Sequence, residues 1–350
     1  MKCILVTGGV GFIGSNFIKS LLSDNYKIVN LDLLTYAASL KTLSELKRKK
    51  NFIFIKGNIG DKTKINFIFK QYKPDSVINF AGETHVDRSI DSPNEFINTN
   101  ILCVFNFLNA SLNYWKKNQT NKKKFKFIQV STDEVYGSVD TGTSDENSNL
   151  SPNSPYAASK TAADHLISSY FKTYNFPSII ARSSNNYGPY QFPEKLIPLI
   201  ILNALEGKIL PIYGNGKHIR NWIYVEDNVN ALKKIILNGK IGNIYNVGGK
   251  EEVTNISLVK KICKILDQIK PRKNKKKYED LIKYVEDRPG HDKRYSLNSK
   301  KIKKEIKWKP RINIDEGLKL TIDWYLNNKS WWKSIRKFKY KGERLGRKLK

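Results

Sequence analysis

CILVTGGVGFIGS, residues 3–15, decides the fold. A short apolar run of strand character passes directly into glycines at 8, 9, 11 and 14, and an amphipathic helical pattern follows. Gly9, Gly11 and Gly14 stand in G-x-G-x-x-G spacing, and Gly8 adds a G-x-x-G-x-x-G reading. Alone the pattern is weak. Between a strand and a helix, with Asp32 ending the next strand about 20 residues on, it reads as a dinucleotide-binding turn. Glycines let the backbone approach a pyrophosphate, whose charge then rests on the helix N-terminus. Asp32 would accept hydrogen bonds from an adenosine ribose, which favours NAD over its 2′-phosphorylated form.

Outward from this turn the chain keeps the same rhythm. Strand-like runs recur at 27–32 (KIVNLD), 52–57 (FIFIKG), 76–82 (SVINFAG), 126–132 (KFIQVST) and 178–184 (SIIARSS), with helical patterns between them. Alternating strand and helix signals predict an α/β fold, a Rossmann-like doubly wound parallel sheet covered on both faces. After residue 185 the elements become shorter and mixed, which predicts a smaller mixed α/β substrate-binding lobe. The expected organisation is a cofactor domain over 1–185 that regains the segment 220–250, a lobe over 186–330, and a basic tail over 331–350. The run NIYNVGG (243–249) is expected back in the main sheet, and the lysine-rich 270–277 is expected as a loop.

The chain has 350 residues, 40% of them hydrophobic, and a net charge of +30, a composition that suits a globular protein. The lysines are spread among asparagines and isoleucines without aromatic interleaving. They read as a solvated surface that attracts anionic small molecules, and no specific nucleic-acid partner is expected. Cys3, Cys103 and Cys263 are widely spaced and odd in number, which suggests reduced thiols and a cytoplasmic setting, with no metal site. No apolar run is long enough for a membrane span.

Two stretches carry chemistry. STDEVYG (131–137) places Asp133 and Glu134 side by side where a buried strand emerges. Carboxylates are rarely buried unless paired or employed, and an elimination needs one acid and one base at adjacent carbons. Close carboxylates resist joint ionisation, which would keep Asp133 protonated as a donor. Neighbours in a regular strand point to opposite faces, so both can serve one site only if the chain leaves strand geometry at 132 or 133. YAASK places Tyr156 and Lys160 on one helix face; a neighbouring ammonium and a positive nicotinamide ring would both favour phenolate. The same Y-x-x-x-K spacing occurs at Tyr213–Lys217 and Tyr325–Lys329, in poorer contexts.

Together these runs resemble the extended short-chain dehydrogenase/reductase superfamily, and within it the nucleoside-diphosphate-sugar 4,6-dehydratases. The resemblance rests on TGGVGFIGS, LDLLTYA, FAGETHVDRS, STDEVYG, SPYAASK, SNNYGPYQFPEKLIP, GNGKHIRNWIYVED and DRPGHDKRY, and covers residues 5 to about 295. It implies an NAD-dependent hydro-lyase acting on dTDP-glucose, with UDP-glucose as the alternative and a sugar 4-epimerase or decarboxylase as a more remote one. A rhamnose-type deoxysugar pathway is the expected setting. Catalysis would fall to Thr132, Asp133, Glu134, Tyr156 and Lys160, with Tyr156 taking the carbon 4 hydroxyl proton, Glu134 the carbon 5 proton and Asp133 protonating the carbon 6 hydroxyl. Cofactor contacts implied are Gly8, Gly11, Phe12, Ile13, Gly14, Asp32, Leu33, Thr35, Asn58, Ile59, Ala81, Thr84, Thr99, Tyr156, Lys160 and Asn186. Substrate contacts implied are Thr84, Thr132, Asn185, Lys195, Leu196, Pro211, Tyr213, Arg220, Asn255, Arg288 and His291. Asn58 stands where the family usually has Asp, and Gly82 where it usually has Ala. The resemblance also implies a homodimer formed through a four-helix bundle, built from FINTNILCVFNFLNASLNYW and YAASKTAADHLISSYFKTY.

Overall fold

The computed structural model describes residues 2–22, 24, 26–46, 48–117, 124–273, 275–343 and 345. Six strands form in the first half: β1 (Cys3–Thr7), β2 (Lys27–Asp32), β3 (Phe52–Lys56), β4 (Ser76–Asn79), β5 (Lys126–Thr132) and β6 (Ser178–Ser183). The second half adds β7 (Asn185–Tyr187), β8 (Leu210–Tyr213), β9 (Ile219–Tyr224), β10 (Ile244–Val247), β11 (Glu251–Thr254) and β12 (Ile282–Val285). The main sheet has seven parallel strands in the order β10-β6-β5-β4-β1-β2-β3.

Alternation along β1 shows why the apolar run is nearly continuous. Ile4 and Val6 enter one core with Phe17, Ile18 and Leu232, while Cys3 and Leu5 enter another with Ile65, Phe107 and Ile167. A parallel sheet buried on both faces needs apolar side chains in both directions. The helices Phe12–Leu22 and Val225–Asn238 cover the first face; Lys62–Tyr72, Val104–Lys117 and Pro155–Tyr174 cover the second. Helix Pro155–Tyr174 begins with a strong signal, since Ser154 caps Ala157 N at 3.1 Å and proline stands in its first turn. It ends at Asn175 in the left-handed conformation.

A second core joins Tyr187, Trp222, Leu258, Ile262 and Tyr325 around two small sheets, β11-β9-β7 and the parallel pair β12-β8. The sequence reading of a tail from residue 331 needs correction. Lys329–Phe338 is a helix whose Trp331, Trp332 and Ile335 are buried in this second core. Its apolar residues recur at helical spacing between lysines, so the charge masks an amphipathic element. Trp331 Nε1 donates to Thr42 Oγ1 at 2.9 Å, and Lys339 Nζ donates to the Ala38 carbonyl. Residues 344 and 346–350 of the expected tail, and residue 274 of the expected loop, lie outside the described residues.

Candidate active site

A cavity opens at the carboxyl ends of the strands, over the β4-β1-β2 region where the strand order reverses. Every residue expected to touch the cofactor lines it, from Gly8 and Asp32 through Asn58, Ala81 and Thr99 to Tyr156, Lys160 and Asn186. Thr84, Thr132, Asn185 and Lys195 line it as well.

The glycine turn fits a dinucleotide diphosphate. Gly8 has φ +66°, and a Cβ there would lie 2.6 Å from Ala81 N; a Cβ on Gly14 would lie 2.6 Å from the Gly8 carbonyl. At Gly11 the nearest atom is the Gly8 carbonyl oxygen at 3.2 Å, a tighter than ordinary contact but a milder one than at Gly8 or Gly14, and alanine there would intrude into the cavity. Gly11→Ala is therefore expected to raise the NAD Kd by roughly tenfold, about 1.4 kcal/mol, and to lower Tm less than Gly8→Ala or Gly14→Ala. Titration calorimetry beside a melting curve checks both halves. Asp32 is buried and accepts from Val10 N and Leu34 N, each at 2.8 Å, which aims its carboxylate across the mouth of the turn. Leu34 is held at φ 61°, a strained conformation for a branched side chain. Asn58 Oδ1 accepts from Gly60 N at 2.7 Å, while a Cβ on Gly82 would meet Asn100 Oδ1 at 2.9 Å. Asn100 in turn clasps Glu83 N and Ser159 Oγ, so the missing methyl at position 82 makes room for this amide.

The two adjacent acids both reach the cavity because β5 stops at Thr132 and a 3₁₀ turn, Asp133–Tyr136, begins at once. Asp133 is buried, with Oδ1 accepting from Thr132 Oγ1 at 3.3 Å and Oδ2 without a hydrogen-bond partner among the described residues. Burial, then the neighbouring Glu134 charge, pushes its pKa well above the ordinary carboxylate value. Glu134 is half-buried and is also pushed up by desolvation, but Arg288, Arg220 and Lys195 pull it back. The pair is thus split in the direction an acid and a base require. Such a group has a stability consequence. The folded state holds Asp133's proton more tightly than the unfolded chain, so stability falls as pH rises from about 3.8 towards the folded value. Asp133→Asn is expected to raise Tm at pH 7, and the gain should vanish below the unfolded carboxyl value. Melting curves across pH test this.

Tyr156 is buried and packs edge-on against Phe96, ring centroids 6.3 Å apart. Burial and the Glu134 charge push its phenol above the ordinary value, and a hydrogen bond with Thr132 opposes them. Lys160 lines the same cavity, but its Nζ donates to the Val130 carbonyl at 2.8 Å. Burial lowers this lysine to about 8.

The remaining expected substrate residues do not line this cavity. Leu196 opens the helix Leu196–Leu205, and Pro211 and Tyr213 lie in β8. Tyr213 Oη donates to Asp87 Oδ2 at 2.8 Å, and Arg288 pairs with Asp87 Oδ1 at 3.1 Å. His291 stacks on His218 with centroids 3.6 Å apart, and both rings meet the Asp287 carboxylate. Arg220 is anchored on the Asp292 carbonyl at 2.8 Å. Buried polar atoms of Asn185 (Oδ1), Asn255 (Oδ1) and Arg288 (Nε) have no hydrogen-bond partner among the described residues. Orphaned groups of this kind suit a polar ligand. Lys195, Arg220 and Arg288 all act on Glu134 electrostatically, a cluster of cationic donors of the kind that suits a diphosphate.

Sequence reasoning missed Tyr36, Arg88 and Glu194. Glu194 accepts from Tyr36 Oη at 2.8 Å and from Arg88 Nε at 2.9 Å, tying the adenosine-side loop to the segment that carries Lys195. A carboxylate flanked by apolar residues and a lysine in FPEK was the available signal.

The chain belongs to the GDP-mannose 4,6 dehydratase family, whose model matches residues 5–321. More closely drawn, it is 47% identical to the dTDP-glucose 4,6-dehydratase of Xanthomonas campestris pv. campestris (strain B100), over 99% of each chain. Among solved structures, the dTDP-glucose 4,6-dehydratase of Bacillus anthracis in complex with NAD is 41% identical, with a TM-score of 0.85 over 96% of this chain and all of that one. The Streptomyces venezuelae dTDP-glucose 4,6-dehydratase with NAD and TYD bound is 37% identical, with a TM-score of 0.87 over 95% and 99%.

Proposed function

We propose that this chain converts dTDP-glucose to dTDP-4-keto-6-deoxyglucose and water, as an NAD-dependent hydro-lyase of deoxysugar biosynthesis. The observation that carries the reading is the split acid–base pair, Asp133 and Glu134, opening with Tyr156 into one cavity. Bound NAD would supply the hydride chemistry, accepting hydride from carbon 4 and returning it to carbon 6. Tyr156 takes the carbon 4 hydroxyl proton while Thr132 bonds that oxygen. The ketone acidifies carbon 5, whose proton Glu134 removes. Asp133 protonates the carbon 6 hydroxyl, which leaves as water. Tyr156 then holds one proton too many and Asp133 one too few. The Thr132 hydroxyl, bonded to the phenol and donating to Asp133, offers the path that restores both.

In the same reading, residues 1–185 with 220–250 hold the cofactor and 186–330 the nucleotide sugar. The protein works in the cytoplasm as a homodimer; no helix among the described residues is long and apolar enough to cross a membrane. The dimer is supported by exposed Ile97, Leu102, Phe105 and Tyr174 along the helices of the expected bundle. Sedimentation of the pure protein tests it. The activity is tested by incubating the protein and NAD with dTDP-glucose and UDP-glucose in parallel. The alkali-sensitive 4-keto chromophore is expected from dTDP-glucose, and its absence from both refutes the reading.

A further inference from the structure

Asn58 follows β3, the edge strand of the main sheet, on the opposite side of the glycine turn from the acid–base pair. With the diphosphate on that turn and the adenosine ribose on Asp32, the cofactor's purine extends over the end of β3. Gly57, Asn58 and Ile59 line the cavity there. The Asn58 side chain is fixed from two directions. Its Oδ1 accepts from Gly60 N at 2.7 Å, an Asx turn, and Asp61 N closes the same loop on the Asn58 carbonyl at 3.1 Å. Its amide meets the Cys103 thiol, which burial raises above its ordinary pKa and the Asn58 hydrogen bond pulls back. Gly60 lets the two groups approach: a Cβ there would lie 2.7 Å from Cys103 Sγ and 3.3 Å from Asn58 Oδ1. Turning the amide over would set Nδ2 against the Gly60 N–H, donor against donor, and strip that N–H of its acceptor. The oxygen is therefore committed to the loop. The nitrogen, which has hydrogens to give and no lone pair, is what the side chain has left for a base.

We propose that Asn58 determines base selectivity in the cofactor site: it sets a donor where adenine also carries one, so the pocket takes a 6-oxopurine dinucleotide at least as readily as NAD. Adenine presents its N6 amino group, a donor, on the edge where a 6-oxopurine presents the O6 carbonyl, an acceptor. Against Asn58 Nδ2 the amino group makes no hydrogen bond, whereas O6 accepts one. A carboxylate at this position would keep the Asx turn with one oxygen and turn the other, an acceptor, towards the amine of adenine. The amide removes that reading. Base selection belongs to the cofactor site alone and holds whatever nucleotide sugar the enzyme takes.

The test equilibrates the full-length protein with equal, saturating concentrations of NAD and nicotinamide hypoxanthine dinucleotide until the bound composition is constant. Bound dinucleotides are recovered by gel filtration and separated by chromatography, a readout independent of turnover. The native protein is expected to hold the two within about threefold of each other, or to favour the hypoxanthine form, since neither base is bonded to a charged group at this edge. Asn58→Asp should shift the bound ratio towards NAD by about tenfold, the effect of one hydrogen bond to a charged group. A merely structural Asn58 would leave the ratio unmoved, because the Asx turn forms with either residue. If Asn58→Asp fails to fold, the native ratio decides alone. Native preference for NAD beyond about threefold overturns the assignment, and so does a shift smaller than that in folded Asn58→Asp. Retention of neither dinucleotide overturns it together with the cofactor cradle, whereas a failure to turn over dTDP-glucose leaves the ratio untouched.

Discussion

Glu134→Gln is expected to lower kcat for dehydration by ~10²–10⁴, the range in which a positioned general base contributes. Gln preserves the shape and can still accept from Tyr295, so the loss isolates the missing negative charge. That charge is poised by opposition: desolvation disfavours it, while Arg288, Arg220 and Lys195 favour it. Its raised pKa sets the acid limb of the rate profile above the ordinary glutamate value, and the limb should disappear in the variant. A second measurement separates the two acids. Substrate recovered from D₂O should carry deuterium at carbon 5 with Asp133→Asn, where proton removal survives and loss of water fails. It should carry none with Glu134→Gln. Equal exchange in the two variants would reverse the assignments.

Asp164→Ala is expected to cost about 3–5 kcal/mol in urea unfolding, because it strands a buried guanidinium. Arg182 Nε meets Asp164 Oδ2 at 2.8 Å with both side chains nearly inaccessible, at 3% and 1% exposure. Arg182 Nη1 also donates to Tyr136 Oη at 2.9 Å, and Tyr136 donates to Asn246 Oδ1 at 2.8 Å. One network thereby ties helix Pro155–Tyr174, which carries Tyr156, to β6, β10 and the turn that carries Asp133 and Glu134. Replacing the ion pair as a whole, with Asp164→Leu and Arg182→Met together, should recover much of the loss, since no lone charge remains. A single variant as stable as the native chain would show that the pair contributes nothing.

Local chemistry was legible wherever neighbours in sequence are neighbours in space. The glycine turn, the strand runs and the Tyr156–Lys160 spacing are of this kind, and the runs from 3 to 132 became strands within a residue or a few of their expected ends. The adjacent acids posed a difficulty that only backbone geometry resolves: the 3₁₀ turn after Thr132 directs both into one cavity. Long-range partners were not legible. Arg182 and Asp164 lie 18 residues apart on different elements, and Tyr295 reaches Glu134 across 161 residues. His218 gave no sign of its stacking with His291, because nothing in GNGKHIR shows what the fold lays over that ring. The helix Lys329–Phe338 was hidden by its lysines, whose charge drew attention from the two tryptophans beneath them.

That last helix also bears on how the protein is made. Its hold on Thr42 and Ala38 steadies the loop whose Ala37 and Ala38 border the adenosine end of the cavity. During translation, every acid, phenol and glycine of the site has been polymerised before this brace exists. A nascent chain, or a nonsense allele ending just after Asn328, would possess the full catalytic inventory with its cofactor cradle unbraced. Such a chain is expected to hold NAD more weakly than one that carries the helix, because Ala37 and Ala38 lose the contacts that steady them.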